Sequence, residues 1–278
     1  MDTPPETARE TLLELDEVGI SFGGLRAVDG LGFRVERGQI VALIGPNGAG
    51  KTTVFNLITG VYRPTQGRIR WRGRDVTGLA PHRIAGLGIR RTFQTIRLFA
   101  DMTVLDNVIA GEHLQIRQRW WQGLLGTPAQ RREERALAER AMAVLERLAL
   151  AGVAHETATA LPYGMQRRVE LARTLVAQPE LIILDEPAAG LNENESAGLN
   201  DTIRAIRDSG ITVILVEHDM SVVMNVADNI VVINFGKKIA EGKPDEIRSN
   251  PLVIEAYLGQ DDGDDPLMQA VHQGHVAP

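Results

Sequence analysis

The amino-acid sequence predicts an α/β fold organised around a glycine-rich loop at 45–53. The loop lies between an apolar, β-branched run at 39–44 and apolar residues at helical spacing in 54–58. Two further apolar runs, at 181–184 and 211–216, each lead directly into acidic residues. Short apolar runs of this kind are typical of strands buried in a parallel sheet, and the order strand, glycine loop, helix is the context of a phosphate-binding loop.

The composition limits the class of protein. A chain of 278 residues is long enough for one large α/β domain or two small ones, and with 4% aromatics its core is aliphatic. The net charge of −6 argues against a broad basic face, so no nucleic-acid partner is expected. The chain has no cysteine, which excludes disulfides and thiolate metal sites. We expect no secretory signal in the polar start, and no apolar run approaches the ~20 residues of a membrane helix.

The residues of the loop explain why it should bind phosphate. Gly45, Gly50, Lys51 and Thr52 fill every fixed position of the pattern G-x-x-x-x-G-K-[ST]. In such a loop, backbone N–H groups close around phosphate oxygens, Lys51 reaches the β- and γ-phosphates, and Thr52 offers its hydroxyl to Mg²⁺. The alternative is a chance glycine turn with a surface lysine.

The segments on either side of the loop are predicted as antiparallel structure. Residues 12–22 and 31–35 alternate and are separated by a glycine pair, which predicts short antiparallel strands. Phe22 either stacks on a purine or faces the core, and the pattern alone favours the core. After the loop helix, 67–74 is predicted as a hairpin whose arginines are mostly solvated.

The middle of the chain is predicted to be mainly helical. Gln94 ends a predicted strand, where its side-chain oxygen can reach a metal or a water, although most such glutamines do neither. From 111 to 160 the chain carries an arginine-rich insertion, with a tryptophan pair at 120–121 that is either a protein-contact patch or buried, and an amphipathic helix at 129–150. The turn at 161–168 opens a helix and is either a second anion site or an ordinary capped helix.

Acidic residues follow both later apolar runs. Asp185 and Glu186 come directly after 181–184, which places them at the carboxyl edge of the sheet, where ligands bind in open α/β folds. Asp185 can hold a Mg²⁺ shell and Glu186 can accept a proton from water. His218 emerges at the same edge, although a lone histidine is more often structural than catalytic. A last hairpin is predicted at 230–239.

In this order the motifs resemble those of the nucleotide-binding subunit of ABC transporters, over residues 11–259. The resemblance implies a P-loop NTPase fold of the ABC type: a RecA-like core, an antiparallel β subdomain and a helical subdomain at about 95–180. The insertion falls at about 113–135, and the tails at 1–10 and 260–278 are expected to be disordered.

The resemblance also implies ATP and Mg²⁺ as cofactors and a role for single residues. Nucleotide-binding residues would be Phe22 on the adenine, Gly45, Pro46, Asn47, Gly48, Ala49, Gly50, Lys51, Thr52 and Thr53 in the Walker A loop, and Tyr163 and Gly164 in the signature turn. Metal-binding residues would be Thr52, Gln94 and Asp185. Catalytic residues would be Lys51, Gln94, Glu186 as general base and His218 on the γ-phosphate.

One motif departs from the family. Where its signature reads Leu-Ser-Gly-Gly-Gln, this chain reads Leu-Pro-Tyr-Gly-Met at 161–165. Proline has neither the serine hydroxyl nor an N–H, so the contact to ATP held by an opposite subunit would fall to Gly164 and later amides.

Within the family the chain is most similar to the branched-chain amino-acid importer ATPase, on the phrases at 163–168, 185–192, 217–220 and 256–259. The resemblance implies a head-to-tail dimer with a second ATPase subunit, itself or a paralogue. It also implies two membrane permeases, an external solute-binding protein, and a peripheral place on the cytoplasmic face of the inner membrane. The alternatives are a lipopolysaccharide-export ATPase, or a non-transport ABC ATPase of DNA repair or translation.

Overall fold

The computed structural model describes residues 10–92, 96–113 and 128–258. Within these ranges the strands are β1 (Thr11–Phe22), β2 (Leu25–Glu36), β3 (Ile40–Ile44), β4 (Gln66–Trp71), β5 (Arg74–Asp75), β6 (Ile89–Arg91), β7 (Leu181–Asp185), β8 (Thr212–Val216), β9 (Asn229–Asn234) and β10 (Lys237–Gly242). The α-helices are α1 (Lys51–Ile58), α2 (Pro81–Gly86), α3 (Val104–His113), α4 (Pro128–Arg147), α5 (Tyr163–Leu175), α6 (Glu193–Asp208), α7 (Met220–Val226), α8 (Pro244–Arg248) and α9 (Pro251–Leu258).

The smaller sheet is antiparallel, with strand order β2-β1-β4-β5. Its first two strands pair as predicted, but the prediction that they are short is wrong, because each runs for twelve residues. The pairing continues through register shifts, one of them between Leu15 and Val18, where Glu17 has a φ of 49°. A β-bulge absorbs extra residues in this way without ending the strand.

The prediction that the arginines of the β4–β5 hairpin are mostly solvated is confirmed for Arg68, Arg72 and Arg74, which are exposed. Two arginines of the hairpin also form ion pairs that the sequence did not predict. Arg70 lies 3.1 Å from Glu14 and 3.2 Å from Asp16, both on the neighbouring strand β1. Arg72 lies 3.0 Å from Glu180, the residue before β7. The Arg70 pairs join facing strands, where opposite charges stabilise a sheet, and both arginines meet carboxylates that are distant in sequence.

The larger sheet has strand order β10-β9-β3-β8-β7-β6, and only β10 runs antiparallel to its neighbour among the described strands. All residues of β3, β7 and β8 are buried, as their unbroken apolar runs predicted. Leu181 and Ile183 pack into one apolar cluster and Ile182 and Leu184 into another, because successive side chains of a strand point to opposite faces. Both faces of the sheet are therefore covered.

The parallel strands bring the sequence motifs to one edge. Strands β3, β8 and β7 are neighbours, and they end at Ile44, Val216 and Asp185. The glycine loop, the acidic pair and the segment with His218 therefore leave the sheet side by side. The predicted hairpin near the end is confirmed as β9 and β10.

Other predictions fall outside the described residues. These are the tryptophan pair at 120–121, most of the two tails and the centre of the insertion. The division into subdomains stays a prediction. No helix of the described ranges is both long and apolar enough to cross a membrane.

Candidate functional site

The glycine loop joins β3 to α1, and its backbone requires glycine at Gly45 and Gly50. Helix α1 begins at Lys51, and Gly50 caps it in the left-handed region with a φ of 104°. A Cβ at Gly50 would lie 2.6 Å from the carbonyl oxygen of Ala27, and one at Gly45 would collide with the carbonyl of Ile233. The loop is thus pressed against the surrounding backbone, which leaves the first-turn N–H groups of α1 at its mouth.

The side chain of Lys51 is hydrogen-bonded to the backbone of the loop. Its Nζ donates to the carbonyl oxygens of Gly45 at 2.6 Å and Pro46 at 3.0 Å. Burial lowers the pKa of Lys51, while the charges of Glu186 and Asp185 oppose that shift. The ammonium group is thus bound to the loop and feels the charges of the two acidic residues. Its contact with phosphates stays a prediction.

Asp185 is the last residue of β7 and is held by an arginine that the sequence analysis did not identify. Nη2 of Arg91 donates to Oδ2 of Asp185 at 2.6 Å, and Nη1 donates to Oδ1 of Asn56 at 2.7 Å. The same guanidinium lies 5.6 Å from the ring centroid of Phe55. Arg91 thereby ties the end of β6 to the loop helix and to Asp185.

Glu186 follows in a left-handed backbone conformation, with a φ of 46°. His218 lies beyond the end of β8, and its side chain is 60% exposed. Its Nδ1 is 3.9 Å from the carboxylate of Glu217, which is fully buried. The exposed imidazole faces away from the core and is free to contact a bound molecule, whereas Glu217 is part of the interior.

Phe22 is 44% exposed at the end of β1, so the interpretation that it faces the core is wrong. Its ring meets that of Tyr62 edge to face, with centroids 5.2 Å apart. It is exposed because it adjoins the tight turn between β1 and β2, where there is no core to face. Its stacking on adenine stays a prediction.

The signature turn opens α5, with Pro162 at the cap position and no side-chain capping hydrogen bond. The hydroxyl of Tyr163 donates to the carbonyl of Ala189 at 3.3 Å, and Gly164 lies against the carboxylate of Glu195. The turn is therefore packed on the segment that follows Glu186. Gln94 lies outside the described residues, and its role stays a prediction.

Within the described part of the chain, no group of three or more histidine, aspartate or glutamate side chains could hold a metal. Mg²⁺ in phosphate-transferring sites is bound by one or two carboxylates together with substrate phosphates. Asp185 at the end of β7 and the hydroxyl of Thr52 in the first turn of α1 fit that donor set. Together these groups form a candidate site for phosphoryl chemistry, made of the loop, the Lys51 ammonium group and the carboxylates of Asp185 and Glu186.

Comparison with known proteins gives two family matches. A family model described as "ABC transporter" matches residues 28–189. A second model, described as "Branched-chain amino acid ATP-binding cassette transporter", matches residues 237–263.

Similar proteins and structures extend over most of the chain. The high-affinity branched-chain amino acid transport ATP-binding protein BraF of Pseudomonas aeruginosa is 48% identical over 250 residues, which cover 90% of this chain and 98% of BraF. LivG of Escherichia coli K12, which carries the same description, is 46% identical over 252 residues, 90% of this chain and 99% of LivG. The ADP conformation of MJ1267, an ATP-binding cassette of an ABC transporter, matches with a TM-score of 0.80 and 32% identity over 90% of this chain and 99% of that one.

Proposed function

The chain belongs to the ABC transporter family, and from that premise we propose that it is the ATP-binding and ATP-hydrolysing subunit of an importer of branched-chain amino acids. The observation that carries the proposal is that Lys51 is hydrogen-bonded to the phosphate loop, while Arg91 joins Asp185, the residue before Glu186, to the helix that follows this loop. The amino-acid class rests on similarity to BraF and LivG, whose names state it.

The residues of the site divide the work of hydrolysis between binding and proton transfer. The loop N–H groups and Lys51 bind the phosphates and stabilise charge on the transferred group. Glu186 orients the attacking water and accepts its proton. His218, exposed at the same edge of the sheet, contacts the γ-phosphate, and Phe22 stacks on the adenine.

Thr52 and Asp185 would hold Mg²⁺ together with the nucleotide. The ion would supply charge neutralisation on the phosphate oxygens. The contact with Arg91 supports this role, because it fixes the Asp185 carboxylate at the end of β7.

Replacing Asp185 with asparagine should weaken MgATP binding roughly tenfold or more, because the metal loses its only charged protein ligand of this set. Binding of ATP in EDTA should change by less than about twofold, since asparagine keeps an oxygen for Arg91. Calorimetry in both buffers measures this. Asp228→Asn is the matched control, because Asp228 pairs with Arg207 away from the loop. Equal Mg²⁺ dependence in Asp185→Asn and wild type would contradict the metal assignment.

The assembly we propose is a head-to-tail dimer with a second ATPase subunit, a copy or a paralogue, on two membrane permeases at the cytoplasmic face of the inner membrane. An external solute-binding protein would deliver the amino acid. Fold alone does not set substrate choice, which on this account lies with those partners.

Purification of the tagged chain from membranes of its source cells tests this assembly. We expect two permease subunits to remain bound in detergent, together with ATPase activity that rises when the solute-binding protein and a branched-chain amino acid are added. Recovery of the chain with ribosomes or DNA, and without permeases, would contradict the transport proposal and favour a non-transport ABC ATPase.

A further inference from the structure

The loop at 186–188, which carries Glu186, has most of its backbone N–H and carbonyl groups hydrogen-bonded to residues outside the loop. The N–H of Glu186 donates to the carbonyl of Val216 at 2.9 Å, at the end of β8. Pro187 has no N–H, and the N–H of Ala188 donates to Oε1 of Glu217 at 2.6 Å. A left-handed residue other than glycine persists only where its surroundings fix it, and Glu186 is such a residue.

Arg167 holds two of the carbonyl groups of this loop. Its Nη2 donates to the carbonyl oxygen of Glu186 at 2.7 Å and its Nε to that of Pro187 at 3.3 Å. Nη1 of the same side chain donates to Glu170 at 3.0 Å, and the side chains of Arg167 and Glu170 are 3% and 2% exposed. A planar guanidinium can serve three acceptors in a fixed geometry, which an ammonium group cannot copy.

Glu217 joins the same loop to the segment with His218. One oxygen of its carboxylate accepts the N–H of Ala188, and the other accepts the N–H of His218 at 3.2 Å. Burial raises the pKa of Glu217, although the backbone N–H groups that it accepts oppose that shift. The buried Glu217 carboxylate therefore connects the loop after β7 to the loop after β8 and fixes the distance between them.

We propose that Arg167 and Glu217 are positioning residues that hold Glu186 in place for hydrolysis. The inference rests on the proposed function, in which Glu186 is the general base. Neither side chain reaches for the nucleotide in this account; each acts through the backbone of the loop. Because Arg167 lies on α5, directly after the signature turn, a movement of that turn is transmitted to Glu186 of the same subunit.

The experiment measures kcat, KM and ATP-binding stoichiometry for the full-length chain carrying Arg167→Lys, Arg167→Met or Glu217→Gln. Stoichiometry, from calorimetry with MgATP, gives the folded fraction of each preparation, so that kcat is expressed for each binding-competent chain. Arg168→Met is the matched control, because Arg168 is the next residue on α5 and donates instead to the carbonyl of Leu148. Glu186→Gln is measured alongside.

We expect Arg167→Met to lower kcat for each competent chain by roughly 10- to 100-fold, since a small misplacement of a catalytic group has effects of that size. KM and ATP affinity should stay within about twofold, because the phosphate loop is untouched. Arg167→Lys should have a higher kcat than Arg167→Met. The kcat of Glu217→Gln, which keeps one acceptor oxygen, should lie between the values of those two variants. Arg168→Met should match wild type.

A wild-type kcat for each competent chain in both Arg167→Met and Glu217→Gln would overturn the positioning role, as would a loss that follows binding stoichiometry alone. The outcome for Glu186→Gln separates this proposal from the proposed function. If Glu186→Gln is inactive while the Arg167 and Glu217 variants keep the wild-type kcat, positioning fails and the general-base assignment stands. If Glu186→Gln turns over normally, both fail.

Discussion

We expect Glu186→Gln to lower kcat for ATP hydrolysis by at least about 100-fold, the lower end of what a positioned general base contributes. Glutamine has the shape of glutamate but accepts no proton at neutral pH. The loop geometry should survive, because Arg167 and Glu217 hold the backbone of this loop and make no use of the Glu186 carboxylate in those contacts. ATP should therefore bind with an affinity within about twofold of wild type and remain unhydrolysed.

Steady-state phosphate release and calorimetry with MgATP measure the two quantities. Glu180→Gln is the matched control, because Glu180 precedes β7 and pairs with Arg37 and Arg72, at the opposite end of the strand from Glu186. Its kcat should be unchanged. Wild-type turnover in Glu186→Gln would remove the general-base assignment.

Lys51→Ala should weaken ATP binding by roughly 10- to 100-fold, the range expected for losing a hydrogen bond to a charged group. Lys51 is the cation that faces the phosphates, and its Nζ already lies among the loop carbonyls at 2.6 and 3.0 Å. Without it, the bound phosphates also lose the charge that offsets Asp185 and Glu186.

Calorimetric titration with MgATP measures this loss. Lys238→Ala is the control of the same chemistry, because Lys238 pairs with Glu241 on β10. Unchanged affinity in Lys51→Ala would refute phosphate binding by this loop, which is the premise of the whole site.

The sequence was sufficient to predict the parts of the fold that are local in the chain. The buried strands β3, β7 and β8, the loop before α1 and the edge where Asp185 and His218 emerge all follow from apolar runs and the residues that end them.

The sequence was not sufficient where a residue's role depends on a distant partner. Arg91 meets Asp185 across 94 positions, and Arg70 meets Glu14 across 56. No local pattern reports such a pair. The sequence contains one indication that Arg167 is ion-paired, because Glu170 lies three residues further along the helix. That spacing is equally typical of an exposed surface pair, so it does not predict a buried role.

The signature turn remains the largest departure from the family pattern. Pro162 supplies no capping side chain, and Tyr163 is hydrogen-bonded to the segment after Glu186. On the proposed function this turn contacts ATP held by the second subunit. The same turn is attached to Glu186 through Arg167, so one helix would serve both nucleotide sites of the dimer.

The proposed coupling is that ATP hydrolysis by this chain drives the import of a branched-chain amino acid. Its most direct test is the initial rate of radiolabelled leucine uptake by proteoliposomes that contain the co-purified complex, with ATP inside and the solute-binding protein outside. We predict uptake that requires internal ATP and is abolished when the chain carries Glu186→Gln. Uptake that proceeds equally without ATP, or equally with Glu186→Gln, would contradict the proposed coupling.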